Sequence, residues 1–264
     1  MRFQASILAL LASFAAADVA APTPAPVPSS QGSIPETTPV PVPHKVGKRQ
    51  EGLEQPEAYG DLEFIARLIS APLQADRVFL LRDEDFIFDF QNPPGDLNVE
   101  TGDSGRIVVA NRKTMPALIG TGSGMSVGFL GPCGFNTPHT HPRGTELNIP
   151  VVGNLNTSLI LEDGSRVINN YIKTLQMHVF PQGAIHLEFN PDCTNAIFVA
   201  GFNNEDFGTS HIANNFFRLS DEVVAAAVDG NIVIDGRDIE QFRNRIPKSV
   251  AIGVEECLRK CNLL

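Results

Sequence analysis

The segment Gly134–Gly153, with the sequence GFNTPHTHPRGTELNIPVVG, determines both the fold and the chemistry that we expect of this chain. If the segment begins as a β-strand, His139 and His141 lie on the same face of that strand, because successive side chains alternate between faces. The proline and glycine that follow end the strand. Glu146 can therefore return to the two imidazoles from a new direction, and the segment predicts a small cluster of metal ligands.

A fourth candidate ligand, His186, lies in the segment Phe180–Asn190, with the sequence FPQGAIHLEFN. The Pro-Gln-Gly turn signal ahead of it predicts that a distant strand returns to the same position. Three imidazoles and one carboxylate form a mixed nitrogen and oxygen set that suits a divalent transition metal. A His-x-His pair alone is common on solvent-exposed strands, so the prediction depends on all four residues together.

Both segments resemble the two motifs of the cupin superfamily, in its germin-like branch. The first motif has the pattern H-x-H, four residues, Glu, six residues, Gly, and the second has the pattern P-x-G-x-x-H-x-x-x-N. The pattern usually has a glycine six residues before the proline, at a turn position where this chain has Leu175. The residues that match are His139, His141, Glu146, Gly153, Pro181, Gly183, His186 and Asn190.

Three stretches are similar to the spherulin-like proteins of fungi and slime moulds: GPCGFNTPHTHPR, FPQGAIHLEFNP and FNNEDFG. The resemblance covers residues 56–264 and implies an all-β fold, a single cupin jelly-roll barrel at 56–219 with appended C-terminal helices at 220–264. Short apolar or alternating segments between Arg106 and Val199 independently favour a sandwich or barrel over βαβ units. A second His-x-His pair is absent from the sequence, which predicts one cupin domain and not two.

The N-terminal region predicts export. Residues 1–17 have a basic residue, an apolar run and small residues before a cleavage site, as a signal peptide does, and the run is too short to span a membrane. Residues 18–55 are rich in proline and lack periodicity, so we expect an extended segment. Lys48–Arg49 either ends a propeptide at a kexin-type processing site or is an incidental pair of exposed charges. The expected location is extracellular or in the cell wall.

The four cysteines, an even number behind a signal peptide, predict disulfides, although their spacing allows three connectivities. Thiolate metal ligands are the competing interpretation, disfavoured because the His and Glu set is already complete. In cupins the His-x-His strand lies antiparallel to the strand after the last histidine, so the resemblance implies a bond between Cys133 and Cys193. Cys257 and Cys261 are one helical turn apart, which is close enough for a bond between them at a helix end. Germins have their disulfide near the mature N-terminus, so this arrangement departs from theirs.

Asn156 begins an Asn-Thr-Ser acceptor for N-glycosylation.

The formal charge of −10 argues against nucleic acid or an anionic membrane as a partner, but not against a small molecule held at the metal.

After Asn215 the pattern becomes helical. Ser220 predicts an N-cap, and two further helices are predicted at Asp235–Asn244 and Ser249–Leu263. The resemblance to germins implies that these helices clasp a neighbouring subunit of a homo-oligomer; the alternative is that they cover their own barrel.

The predicted ligand set leaves two positions of an octahedral ion open, which favours a functional metal over a structural one. Germins bind manganese and act as oxalate oxidases or superoxide dismutases, but these ligands also suit iron, zinc or nickel. In the germins that oxidise oxalate, two asparagines near the ion hold the substrate. Asn136 matches the first, unless it is only a turn residue, and Ser126 replaces the second, which disfavours oxalate oxidase.

Two functional hypotheses follow. The first is a secreted manganese oxidoreductase, such as a superoxide dismutase, and the second is a non-catalytic structural or storage protein of a wall or spore, of spherulin type.

Overall fold

The computed structural model of this chain describes residues 62–95, 99–228, 246–247 and 249–263. Two antiparallel β-sheets dominate it. The first sheet has the strand order β1-β2-β3-β10-β5-β8, and the second has the order β11-β4-β9-β6-β7, with β12 paired to the free side of β4. This arrangement confirms the predicted all-β jelly roll. Among the helices in these ranges, none combines the length and the apolar composition that a bilayer crossing requires.

Most strands lie in the region from Arg106 to Val199, where the sequence predicts short apolar or alternating segments. The helices are α1 (Leu62–Ser70), α2 (Gln74–Val78), α3 (Ile212–Phe216), α4 (Asp221–Ala227) and α5 (Glu255–Lys260). The strands are β1 (Val99–Gly102), β2 (Gly105–Ala110), β3 (Gly124–Leu130), β4 (Gly134–Thr140), β5 (Glu146–Val152), β6 (Leu155–Ile160), β7 (Ile168–Ile172), β8 (His178–Phe180), β9 (Ile185–Phe189), β10 (Ala196–Phe202), β11 (Ser210–His211) and β12 (Val250–Ile252).

Side-chain alternation along the strands builds the core between the sheets. In β10 the residues at even positions, Ala196 to Phe202, are buried, while those between them are partly exposed. Phe198 and Phe202 pack with Ile107 and Leu130 in the main apolar cluster. Burying one such phenylalanine contributes about 2–3 kcal/mol, and the small side chains of Ala196 and Ala200 leave room for it.

The pairing of β4 with β9 brings the two sequence motifs together. The strands are antiparallel, as predicted, and His139 lies directly opposite His186. The register shifts between Asn136 and His139, so an irregularity precedes the first histidine. Such irregularities re-aim the side chains that follow them, and here the imidazole of His139 points into the barrel, where it is buried.

Three turn residues near the motifs have left-handed backbone conformations. Gly153 and Gly183 have φ of 71° and 81°, which glycine adopts without steric cost. A Cβ at Gly153 would also lie 3.1 Å from the Cβ of Ala196. Leu175, which replaces the usual glycine, has φ of 65° and is 77% exposed. The local bend is therefore kept despite the substitution.

The C-terminal helix predictions are confirmed only in part. Ser220 precedes α4, as predicted. The helix predicted over Ser249–Leu263 is wrong at its start, because Val250–Ile252 forms β12 and pairs with β4. Val250 and Ala251 are buried there, since the free side of β4 offers hydrogen bonds to an apolar segment that is too short to be a stable helix alone.

Several other predictions lie outside the described residues. These are the signal peptide at 1–17, the proline-rich segment with its processing site at Lys48–Arg49, and the helix at 235–244. Asn156 is exposed on β6, and its glycosylation stays a prediction.

All four cysteines form disulfides, but the predicted pairing is wrong. Cys133 is bonded to Cys257, and Cys193 to Cys261, with Cα–Cα distances of 5.7 Å and 5.3 Å. The two cysteines of α5 are four residues apart and therefore share one face of that helix. That face lies over the start of β4 and the chain after β9, so each cysteine reaches a different segment of the barrel. Both bonds fasten the C-terminal helix to the barrel.

Candidate metal centre

The four predicted ligands come together inside the barrel. Their donor atoms all lie within 4.8 Å of one another, and all four residues are buried. His139 comes from the end of β4, Glu146 from the start of β5 and His186 from β9, while His141 follows β4 directly. The Oε2 atom of Glu146 lies 3.0 Å from Nε2 of His141 and 3.1 Å from Nε2 of His186.

Backbone carbonyl groups set the tautomer of each imidazole. A carbonyl oxygen only accepts hydrogen bonds, so the ring nitrogen that contacts it must carry the proton, and the other nitrogen presents its lone pair to the centre. The three contacts run from His139 Nδ1 to Thr137 O at 2.8 Å, from His141 Nδ1 to Gly208 O at 2.6 Å, and from His186 Nδ1 to Ala184 O at 2.9 Å.

The centre requires a positive charge. Nε2 lone pairs and a carboxylate oxygen about 3 Å apart repel one another unless a proton or a metal ion lies between them. Burial, together with the nearby His186 and His141, lowers the pKa of His139 well below its usual range and keeps the ring neutral, which is the form that binds metals. Burial raises the pKa of Glu146, but its contacts with His141 and His186 outweigh this and hold that pKa well below the usual range. The residues therefore fit a divalent ion.

Aromatic rings hold the imidazoles in place and keep water away from them. Phe180 stacks on His186 with ring centroids 4.2 Å apart and planes 18° from parallel. Phe202 meets His141 edge to face at 4.6 Å, and Phe207 stacks on Phe202. These contacts restrict the orientations of the His141 and His186 rings.

Two buried polar residues that we did not predict, Glu188 and Asn148, support the ligands. The Nδ2 group of Asn148 donates to Oε1 of Glu146 at 2.9 Å and to Oε1 of Glu188 at 3.2 Å. Burial, and then the negative charge of Glu146, raise the pKa of Glu188 well above its usual range, so that carboxyl keeps its proton. The signal was present in the sequence, because each residue lies two positions after a predicted ligand and so shares its face of the strand.

A small cavity adjoins the ligands. Its accessible volume is about 20 Å³, room for about one water molecule, and Ser126 and Asn136 are among its lining residues. Asn136 lies within β4 and not in a turn; its Nδ2 donates to Oε2 of Glu188 at 3.1 Å and lies 3.5 Å from Nε2 of His139. Ser126 and Asn136, which correspond to the two oxalate-binding asparagines of germins, therefore both line this cavity.

His211 and Glu100 also line the cavity, and the sequence contained no signal for either. The short strand β11 pairs with β4 and places His211 opposite His139, with ring centroids 5.8 Å apart. Burial and the nearby His141 lower the pKa of His211. Burial raises the pKa of Glu100, whose Oε2 lies 3.7 Å from Nε2 of His211. The contact of His211 with His139 and the contact of Glu100 with His211 each join residues that are far apart in the chain.

Comparison with known proteins agrees with this geometry. The sequence model of the cupin family matches residues 92–231. The chain is 38% identical to Spherulin-1A of Physarum polycephalum over 206 residues, which cover 78% of this chain and 82% of that protein. It is 32% identical to Germin-like protein subfamily 1 member 16 of Arabidopsis thaliana, over 57% of this chain and 70% of that one.

Among solved structures, an oxalate oxidase in complex with the substrate analogue glycolate has the same fold, with a TM-score of 0.50 and 21% identity. The match covers 62% of this chain and 85% of the oxalate oxidase. The two motifs, the barrel and the sequence relatives agree, and the chain belongs to the cupin family, in the germin-like branch that includes the spherulins.

Proposed function

We propose that this protein is a secreted germin-like cupin that binds one divalent ion, manganese, and acts as an oxidoreductase, in the simplest case by dismutating superoxide. One observation carries the proposal: three imidazole lone pairs and one carboxylate oxygen converge in a buried cluster, and each ring is oriented by its own carbonyl group. A bound manganese ion would supply a redox-active centre with open coordination positions. The surrounding residues hold its ligands and restrict what reaches them.

The cavity beside the ligands supports a small substrate. With an accessible volume of about 20 Å³, it admits a molecule the size of superoxide or one end of a larger ligand. Phe198 and Phe207 lie among its walls and make part of its lining apolar. A wide opening would be expected of a site that acts on polymers, so these walls favour small-molecule chemistry.

Manganese is proposed from the resemblance to germins, since three imidazoles and one carboxylate also suit iron, zinc and nickel. Zinc provides a sharp control because it fills the same ligands but has no accessible redox change. We expect superoxide dismutation by the manganese-loaded protein, none by the zinc-loaded protein and none by His139→Ala. Background turnover by the manganese-loaded protein at full metal occupancy, equal to that of the zinc-loaded protein and of His139→Ala, would contradict the oxidoreductase and favour the wall or spore protein.

Oxalate turnover is expected to be weak in the unmodified protein. Dismutation needs only an open position on the ion, whereas oxalate oxidation needs the diacid held in one orientation. Ser126 is buried at the cavity, and its hydroxyl is too short to replace a carboxamide. Ser126→Asn should raise oxalate oxidation by about ten- to a hundredfold, the effect of one hydrogen bond to a charged substrate.

Initial rates on oxalate with manganese-loaded protein would test this prediction, with dismutation measured on the same samples as a control for metal loading. Rapid oxalate oxidation by the unmodified protein would show that Ser126 does not limit the reaction.

We also propose that the protein is a homo-oligomer. The outward face of the first sheet is apolar across β5, β10, β3 and β8, whereas an antiparallel sheet that faces water is usually polar on that side. The outward residues along these strands include Met125, Leu147, Ile149, Val151, Val179, Ile197 and Val199. A second copy of this face would cover it. The helix predicted at 235–244 lies outside the described residues, so the clasp by C-terminal helices stays a prediction.

Leu147→Glu should convert the oligomer to monomers. Leu147 is 45% exposed at the centre of this face, and a carboxylate buried there without a partner costs several kcal/mol. Sedimentation velocity would measure the change. Ile160→Glu is the matched control, since Ile160 is 39% exposed on the other sheet and its substitution should leave the mass unchanged. A monomeric unmodified protein would contradict the proposal.

A further inference from the structure

A second, wider space, which we call the vestibule, lies beside the cavity at the metal ligands. The vestibule has an accessible volume of about 400 Å³ and is lined by Val99, Glu100, Thr101, His211 and Ser249. Glu100 and His211 line both spaces, so they lie at the boundary between them. A ligand with one end at the metal would place its other end among these residues.

Two residues that line the vestibule each have a polar atom without a hydrogen-bond partner in the described part of the chain. These atoms are Oγ of Ser249 and Nε2 of His211. Ser249 is 2% exposed, and its backbone oxygen accepts a hydrogen bond from the amide of Thr137 at 2.8 Å, so its position against β4 is fixed. A buried polar atom without a partner is costly, and a ligand that entered the vestibule would provide one.

The charge that a bound ligand would meet changes in sign between the cavity at the metal ligands, which is the inner end, and the vestibule, which is the outer end. The inner end holds the proposed divalent ion, which attracts an anionic oxygen. At the outer end Glu100 is the only acidic or basic side chain, apart from the neutral imidazole, among the described residues that line the vestibule. Burial raises the pKa of Glu100, but 42% of its side chain is exposed to water, which favours the charged carboxylate. The outer end therefore attracts cations and hydrogen-bond donors, and repels anions.

We propose that Glu100, His211 and Ser249 form an outer subsite, which selects a small carboxylate or hydroxy compound with an ammonium or hydroxyl donor at its far end and rejects dicarboxylates. This inference rests on the proposed metal site, which holds the near end of the ligand. Glu100 accepts the donor and determines the selectivity. Ser249 and His211 provide the remaining polar contacts.

Three probes of matched length test the subsite on the manganese-loaded full chain: β-alanine, butyrate and succinate. All three present one carboxylate to the metal, while their far ends are cationic, apolar and anionic. By calorimetry we expect affinity to decrease in that order, with about tenfold between successive probes, since each step changes one charged contact. Glu100→Gln should remove most of the preference for β-alanine over butyrate and strengthen succinate binding by about tenfold.

Glu162→Gln is the matched control, because Glu162 is an exposed carboxylate between β6 and β7, at the opposite edge of the second sheet from His211. It should leave all three affinities unchanged. Manganese content, measured on every variant, separates the two proposals. Full manganese with the same probe order in Glu100→Gln would overturn the subsite alone, whereas failure of the unmodified protein to retain manganese would overturn the metal site and the subsite together.

Discussion

Replacing His141 with alanine is expected to reduce the bound metal from about one ion per chain to almost none. The substitution removes one of four converging donors and leaves Oε2 of Glu146, now 3.1 Å from a single imidazole, with an incomplete ligand set. Loss of a supporting outer residue typically weakens a metal site by about ten- to a hundredfold, and loss of a ligand itself should exceed that. Elemental analysis after exhaustive dialysis would measure the occupancy.

His178→Ala provides the control for this experiment. His178 is a partly buried histidine on β8 whose Nε2 contacts Nδ2 of Asn170 at 3.0 Å, outside the ligand cluster. We expect its substitution to leave the metal content near that of the unmodified protein. Full occupancy in His141→Ala, or equal losses in both variants, would contradict the assignment of His141 as a ligand.

Removing the bond between Cys133 and Cys257 with paired alanine substitutions should lower the free energy of unfolding by up to about 4 kcal/mol. The bond joins residues 124 positions apart, but while the second bond is intact the loop that it closes runs only from Cys133 to Cys193 and back through α5, about 65 residues. Removing the bond between Cys193 and Cys261 opens the same loop, so we expect a loss of similar size. Chemical denaturation without reductant would compare the variants.

Peptide mapping of the unmodified protein without reductant tests the pairing itself. The expected peptides join Cys133 to Cys257 and Cys193 to Cys261. A peptide that joins Cys133 to Cys193 would contradict the structure, and the similar losses expected of the two paired variants would then lose their basis. If the paired variants fail to fold, the mapping still decides the connectivity.

The convergence of the four candidate ligands could be predicted from the sequence because local rules govern it. A spacing of two residues places His139 and His141 on one side, and the turns after His141 and before His186 return the chain to the same place. The same alternation applies to Asn148 and Glu188, each two residues beyond a ligand. These two residues were missed although the rule that predicts them had already been applied to His139 and His141.

The disulfide pairing could not be predicted in this way. The pairing of β4 with β9 was predicted correctly, yet it did not determine the bonds, because the position of a third element decided them. Helix α5 lies over both segments, and its two cysteines on one face reach Cys133 and Cys193 separately. The sequence determined that four cysteines would pair; only packing of the C-terminal helix against the barrel decided how.

The sequence by itself determined the β-barrel class and the convergence of the four candidate ligands, since both depend on alternation and turn residues within short segments. The tertiary structure alone decided what surrounds them. β12 forms because β4 has an open side, and β11 carries His211 to a position opposite His139. Glu100 reaches the same vestibule from β1. The physical reason is that strand pairing and helix docking join residues distant in the chain, and no local periodicity encodes which distant partners will meet.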